Sequence, residues 1–321
     1  MSQNLDTLIS DEFPTTQLAQ SKTGGSAGLG LTLYFDKKCQ TLRDAADMRA
    51  NRWSGWDLGE RVGVLCGYPS LDTTLREKLR AALLDRIIYL DTVLLNDESM
   101  RAFAASLLRY HIRYLFGHAH SLFIFANFVR SQHITDLDIR GIVATSMVLP
   151  DHERQAIEAV LGCPITNRYA SEEVGLIASE CEQHRGLHLN TDHLYIEILR
   201  SDGSPCPPGE EGDIVITDLI NRGMPLIRYR GGDRAIPSDH ACPCGRGMPL
   251  VETITARTAD CLIRRDGSAV AGVSLVNRTL IATPGLEELQ TLAQDPTGTC
   301  RFPICEVPLS YHGEGTHGTS S

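Results

Sequence analysis

The chain has 321 residues, 42% of them hydrophobic, enough for one large α/β domain, or a large one plus a small one, and too many for wholesale disorder. A formal net charge of −10 argues against a nucleic-acid backbone as the main partner, since such binders carry basic faces. No apolar run reaches membrane-spanning length, the first residues lack a signal-peptide pattern, and ten irregularly spaced cysteines point to free thiols in a reducing cytoplasm with a metal site rather than a disulfide framework.

Residues 1–20 read as a flexible, polar lead-in. Ser21 to Gly30 form a glycine- and hydroxyl-rich loop, and Leu31–Phe35 reads as a strand leaving it. Loop before strand, with no GK[ST] ending, is not a Walker-type phosphate loop. Leu71, Leu75, Leu79 and Leu83 share one helical face, and Arg86–Leu90 reads as a buried strand. A helix starts at Asp97, with Met100, Phe103, Ala104, Leu107 and Leu108 on one face. Tyr114–Phe116 (strand), Ser121–Arg130 (helix), Gly141–Thr145 (strand) and Asp151–Leu161 (a helix stopped by Gly162) follow. This alternation predicts an α/β fold with mixed sheets covered by helices.

The texture turns β-rich after Gly175. His193–Ile198 and Asp213–Thr217 read as strands joined by a glycine- and proline-rich hairpin connection. A large domain is expected over 21–254, a hinge and the start of a small lid over 255–290, and a disordered tail over 291–321.

Two segments carry the chemistry. Asn167–Gly175 reads NRYASEEVG, and Met224–Asp233 reads MPLIRYRGGD. Each sets an aromatic ring a few residues before a carboxylate, with glycine close by. A nucleotide needs a flat surface for adenine, an acceptor for ribose hydroxyls and an acid to hold Mg²⁺. The loop at Ser21–Gly30 would close over phosphates.

With Arg52–Arg61 (RWSGWDLGER) and Cys242–Arg246 (CPCGR), these segments resemble the phenylacetate–coenzyme A ligase family, nearest its capsule-biosynthesis adenylyltransferase-like branch, within the adenylate-forming superfamily. The resemblance covers about residues 20–290. It implies a large adenylate-forming domain with a partial C-terminal lid, and ATP-dependent adenylation of a small, aromatic carboxylic acid, with coenzyme A or another acceptor receiving the acyl group. Ser21, Thr23, Gly24, Gly25, Ser26 and Gly28 would hold phosphates. Tyr169, flanked by Ala170 and Ser171, would lie against adenine, with Ser146 nearby. Glu173 would be the catalytic acid that binds Mg²⁺. Asp233 would take the ribose hydroxyls, Arg257 would sit near the ribose, and Asp260 would be the lid hinge. A homodimer is compatible with this reading; a membrane partner is not.

The sequence departs from the family at Gly30, Met147, Ala170 and Ala256. Lysine occurs at Lys22, Lys37, Lys38 and Lys78 and nowhere later, so the lid lysine that the resemblance implies is missing. The N-terminal stretch and most of the lid that the resemblance implies are also missing, so both ends read as truncated, and without the lid lysine adenylation is expected to be impaired.

Cys181 with His184 or His188, and Cys242 with Cys244, offer a closed Cys₃His structural zinc site, with either histidine as the fourth ligand. Set against an active ligase are a catalytically silent nucleotide-binding homologue and a zinc-stabilised interaction module. Cys66 and Cys163 read as buried thiols, and His111, His118 and His120 as packing or surface histidines. Trp53 and Trp56 suit core packing as well as an acyl pocket.

Overall fold

The computed structural model describes residues 7–22, 31–67, 86–255, 261–263 and 269–271. The expected helix over 71–83, the loop residues Thr23, Gly24, Gly25, Ser26 and Gly28, the pair Arg257 and Asp260, and the tail over 291–321 lie outside the described residues.

Fifteen strands and four α-helices are described. Strands β1 (Ala19–Lys22) and β2 (Thr32–Phe35) make a two-stranded antiparallel ribbon, so the end of the expected lead-in is a strand here. Helix α1 (Lys37–Trp53) follows, capped by Asp36, whose carboxylate accepts from the amides of Lys38 and Cys39. Then come β3 (Val62–Cys66), β4 (Ile87–Asp91), α2 (Asp97–Arg109), β5 (Tyr114–His118), α3 (Ala119–Ser131), β6 (Gly141–Thr145) and α4 (Asp151–Leu161). An Asn96–Ser99 capping box opens α2, and Gly162 in the left-handed region closes α4.

The remaining strands are β7 (Ile165–Ser171), β8 (Gly175–Ser179), β9 (Leu187–Leu189), β10 (Leu194–Leu199), β11 (Gly212–Asp218), β12 (Tyr229–Pro237) and β13 (Leu250–Thr255), with a small hairpin of β14 (Cys261–Ile263) and β15 (Ala269–Ala271). Eleven strands join one sheet in the order β10-β11-β12-β13-β9-β8-β7-β6-β5-β3-β4. From β4 to β7 the pairing is parallel; from β7 to β10 it is antiparallel.

Two large cores result. One packs α2, α3 and α4 on the parallel strands through Leu65, Phe103, Leu107, Leu122, Phe125, Ile142 and Ile157. The other joins the β1–β2 ribbon to the antiparallel strands through Leu33, Phe35, Val174, Ile177, Ile214 and Ile216. Strand β4 buries only Leu90, because it is the outermost strand of the parallel side. Leu108 likewise stays exposed, at the margin of the buried face of α2.

Candidate functional site

Both sequence motifs lie in the antiparallel half. The first forms the β7–β8 hairpin, with a register shift between Tyr169 and Ala170 that interrupts the ladder at the aromatic residue. The second enters β12. Their side chains meet in crossed pairs: the Tyr169 hydroxyl donates to Asp233 Oδ2 at 2.6 Å, and the Tyr229 hydroxyl donates to Glu173 Oε1 at 2.9 Å. Each motif thus gives one phenol to, and accepts one from, the other. Burial, followed by the Asp233 carboxylate, pushes the Tyr169 phenol upward, so it stays a neutral donor.

Ser21 is the described member of the phosphate-loop set, and its hydroxyl donates to Glu172 Oε2 at 3.3 Å. Ala170 and Ser171 pair with Leu176 and Gly175 within the hairpin. Ser146 stands exposed just past β6, in the left-handed region at φ 64°; β6 pairs with β7, the strand that carries Tyr169, but not with β12. Met147 packs against the core of the parallel half.

The motifs did not announce two contributors. Arg43 on α1 donates to the Glu173 carbonyl at 2.6 Å and to Asp218 Oδ2 at 2.9 Å, and its guanidinium lies 4.2 Å from the centre of the Phe35 ring. A side chain at Gly175, which sits at φ 74°, would meet Arg43 Cδ at 3.2 Å, so glycine admits the arginine beneath the hairpin. Tyr229 is the other; it lies inside the quoted motif, but its partner is 56 residues away.

A second constellation lies at the end of β8. Single ligand atoms of Cys181, His188, Cys242 and Cys244 all fall within 4.8 Å of one another. Cys181 and Cys242 have their sulfurs 3.7 Å apart, and Cys244 Sγ is 3.4 Å from His188 Nε2. A tetrahedral Zn²⁺ with Zn–S near 2.3 Å spaces its thiolates about 3.8 Å apart, so the donor set fits that ion. His188 Nδ1 faces the Met248 carbonyl at 3.4 Å; a carbonyl only accepts, so Nδ1 carries the proton and Nε2 turns a lone pair toward the thiols. Burial holds the His188 imidazole below its usual value, favouring the neutral, metal-binding form. The amides of Gln183 and Arg246 point at Cys181 and Cys244 sulfurs, at 3.5 and 3.4 Å.

His184, the other candidate for fourth ligand, lies outside this group and faces Glu180 Oε2 at 3.1 Å. Trp53 packs edge-on to His188 with ring centres 5.6 Å apart, beside the cysteines. Trp56 packs with Phe116. His118 is buried and His120 faces Glu153 Oε1 at 2.6 Å; Cys163 is buried as expected while Cys66 is half-buried at the end of β3, and desolvation pushes both thiols up to about 12. No described helix is long and apolar enough to cross a membrane.

The fold is that of the adenylate-forming acyl-CoA ligases. A 2-hydroxyisobutyryl-CoA ligase, solved in an open conformation with 2-HIB-AMP and CoA, superposes with a TM-score of 0.64 at 17% identity, over 85% of this chain and 60% of that one. The amide bond synthetase McbA of Marinactinospora thermotolerans superposes with a TM-score of 0.54 at 16% identity, covering 84% of this chain and 54% of its own.

In sequence the chain is similar to phenylacetate-coenzyme A ligases. It is 39% identical to that of Thermus thermophilus over 116 residues, 35% of this chain and 26% of the relative. It is 36% identical to that of Escherichia coli over 118 residues, again 35% of this chain and 26% of the relative. The matched stretch is therefore about a quarter of those relatives' length. No family model matches.

Proposed function

We propose that this chain binds ATP between its two motifs and belongs to the nucleotide-handling part of an acid–thiol ligase. The observation that carries the reading is the crossed set Tyr169–Asp233 and Tyr229–Glu173, which gathers two rings and two carboxylates from segments far apart in sequence. Tyr169 offers its face to adenine and Asp233 accepts from ribose hydroxyls. Glu173, a half-buried hard-oxygen ligand with its backbone fixed by Arg43, would hold Mg²⁺, which neutralises phosphate charge when bound. Ser21 would reach the phosphates through its hydroxyl.

The reaction is attack of a carboxylate oxygen on the α-phosphorus of ATP, releasing pyrophosphate. A thiol then attacks the acyl carbon and AMP leaves. The phenylacetate ligases it resembles suggest a small aromatic acid, with coenzyme A as acceptor. Calorimetry with ATP·Mg and acid-dependent exchange of pyrophosphate into ATP test this. Glu173→Gln is expected to weaken ATP·Mg binding about tenfold; unchanged affinity would remove Glu173 from the metal role.

A second reading rests on lysine. None follows Lys78, so this sequence supplies no late lysine to join the reacting carboxylate and α-phosphate. ATP·Mg binding without exchange would mark a catalytically silent nucleotide-binding homologue; robust exchange would refute impairment.

We further read Cys181, His188, Cys242 and Cys244 as a closed structural zinc centre, with no open position for chemistry. Protein purified without a histidine tag should carry one zinc per chain, about stoichiometric. A ratio near zero removes this centre.

A further inference from the structure

The zinc-binding group sits at the narrowest part of the sheet. Strand β9 is three residues long, the shortest of the eleven strands. It pairs with β8 through Ala178–Leu189 and Ser179–His188, and with β13 through Leu250–His188 and Val251–Leu187. By contrast β10 and β11 are paired from Leu194–Asp218 to Leu199–Asp213. Everything on one side of β9 belongs with the β7–β8 hairpin, which carries Tyr169 and Glu173. Everything on the other side belongs with β13 and β12, which carry Tyr229 and Asp233.

The four candidate ligands straddle that seam. Cys181 follows β8 and His188 lies in β9, while Cys242 and Cys244 lie in the connection from β12 to β13. Further fastenings cross at the same place. Arg246 donates to both Glu182 carboxylate oxygens at 2.9 Å and stacks over Trp53 at 4.8 Å. The Leu189 amide donates to the Pro249 carbonyl at 2.8 Å. Gly186, at φ 101°, lies so close to β13 that a Cβ would come within 2.6 Å of the Val251 carbonyl oxygen. The register continues from the seam to the crossed phenol–carboxylate pairs: Leu189, next to His188, pairs with Ala178, and Ala178 pairs with Tyr169.

The geometry points to the Cys₃His centre as a clamp: zinc bound there locks β9 against β13 and so sets the separation of the two motifs that grip the nucleotide. This rests on the ATP and zinc readings above and assigns the metal a role neither contains. Zinc touches no nucleotide, yet its loss removes the four-ligand tie across β9 and leaves the seam itself to two short ladders and the Arg246–Glu182 and Leu189–Pro249 contacts. Binding two ligands to one rigid body is reciprocal, so zinc tightens ATP and ATP tightens zinc by the same factor.

The test compares zinc-loaded protein, protein stripped with a chelator, and stripped protein reloaded with zinc. Two readouts are used: amide hydrogen exchange over 187–189 and 250–251, and calorimetry with ATP·Mg. Stripping is expected to raise exchange at those amides and to weaken ATP·Mg about tenfold, with both restored on reloading. ATP·Mg should slow zinc transfer to the chelator. His188→Cys, which keeps a tetrahedral thiolate set, is expected to retain zinc, protection and affinity; His188→Ala loses all three. A stripped, folded protein with unchanged exchange at the seam overturns the clamp, as does purified protein without zinc. Unchanged ATP affinity despite faster seam exchange overturns the coupling. Tyr169→Ala and Asp233→Ala are the separate control: if zinc-loaded variants bind ATP as the parent does, the cleft reading fails, while the exchange data still decide the clamp.

Discussion

The two halves of the sheet solve different problems. The parallel half packs helices against its sheet, and its central strands are buried runs: all five residues of β6 and Val62–Leu65 of β3 are buried. The antiparallel half keeps one face wet. In β12 exposure alternates, and charged side chains pair across it and its neighbours, as in Arg230–Asp213, Arg234–Glu211 and Arg200–Glu210. The carboxylates and phenols of the candidate cleft lie on this second half, where ionised groups keep water or partners. The first half supplies rigidity; the second supplies polar groups held by strand register.

That contrast predicts a separation of effects. Phe125, fully buried and edge-on to Phe103 at 5.2 Å, belongs to the rigid half. Phe125→Ala should lower stability by about 4 kcal/mol in denaturant titrations, and nucleotide affinity should persist in the molecules that remain folded. A loss of affinity in folded protein would join the two halves functionally.

Acid should also act through the rigid half. Burial holds His118 at about 4, against an ordinary 6.5. Below 6.5 the unfolded chain takes up a proton that the folded chain refuses until about 4, so stability is complete above that window and falls as pH drops through it. His118→Gln should remove about 3 kcal/mol of this acid sensitivity, read from unfolding midpoints at pH 7 and pH 4. Parallel pH curves for parent and variant would contradict it.

In the polar half the expected effects are on binding. Asp233→Ala should cost about 2 kcal/mol of ATP·Mg affinity by calorimetry and change the unfolding midpoint little. A destabilised protein with intact affinity would make Asp233 a structural residue. Tyr169→Phe keeps the ring face and deletes only the hydroxyl to Asp233, so the expected loss is smaller, about 1 kcal/mol. A larger loss than that of Asp233→Ala would invert the assigned roles.

The same contrast explains what the sequence displayed. The strand at Gly141–Thr145 and the helices from Asp97 and Asp151 were legible because their apolar residues repeat at strand or helix period and their ends are capped. Helix α1 was not, because it buries only Cys39, Ala46 and Ala50 and is otherwise polar; the Asp36 cap was its one local signal. Strand β12 was not among the expected strands, because Gly231 and Gly232 carry no side chains to show an alternating pattern. The two site motifs were visible as residue types, but not the crossed pairing of their side chains. The contribution of Arg43 also depends on a partner at Glu173, 130 residues away. Between the histidines, local spacing suits His184, three residues after Cys181, but the register of β9 brings His188 to the thiols while His184 turns to Glu180.

The crossed phenol–carboxylate bonds also shape the resting molecule. Each of the two acids receives a hydroxyl donor from the opposite motif, which fixes where its oxygens lie. An ionised carboxylate has lone pairs to spare on both oxygens, so neither phenol uses up the capacity of its acid to accept. The same four side chains therefore fasten the β7–β8 hairpin to β12 and still leave both carboxylates able to take further partners.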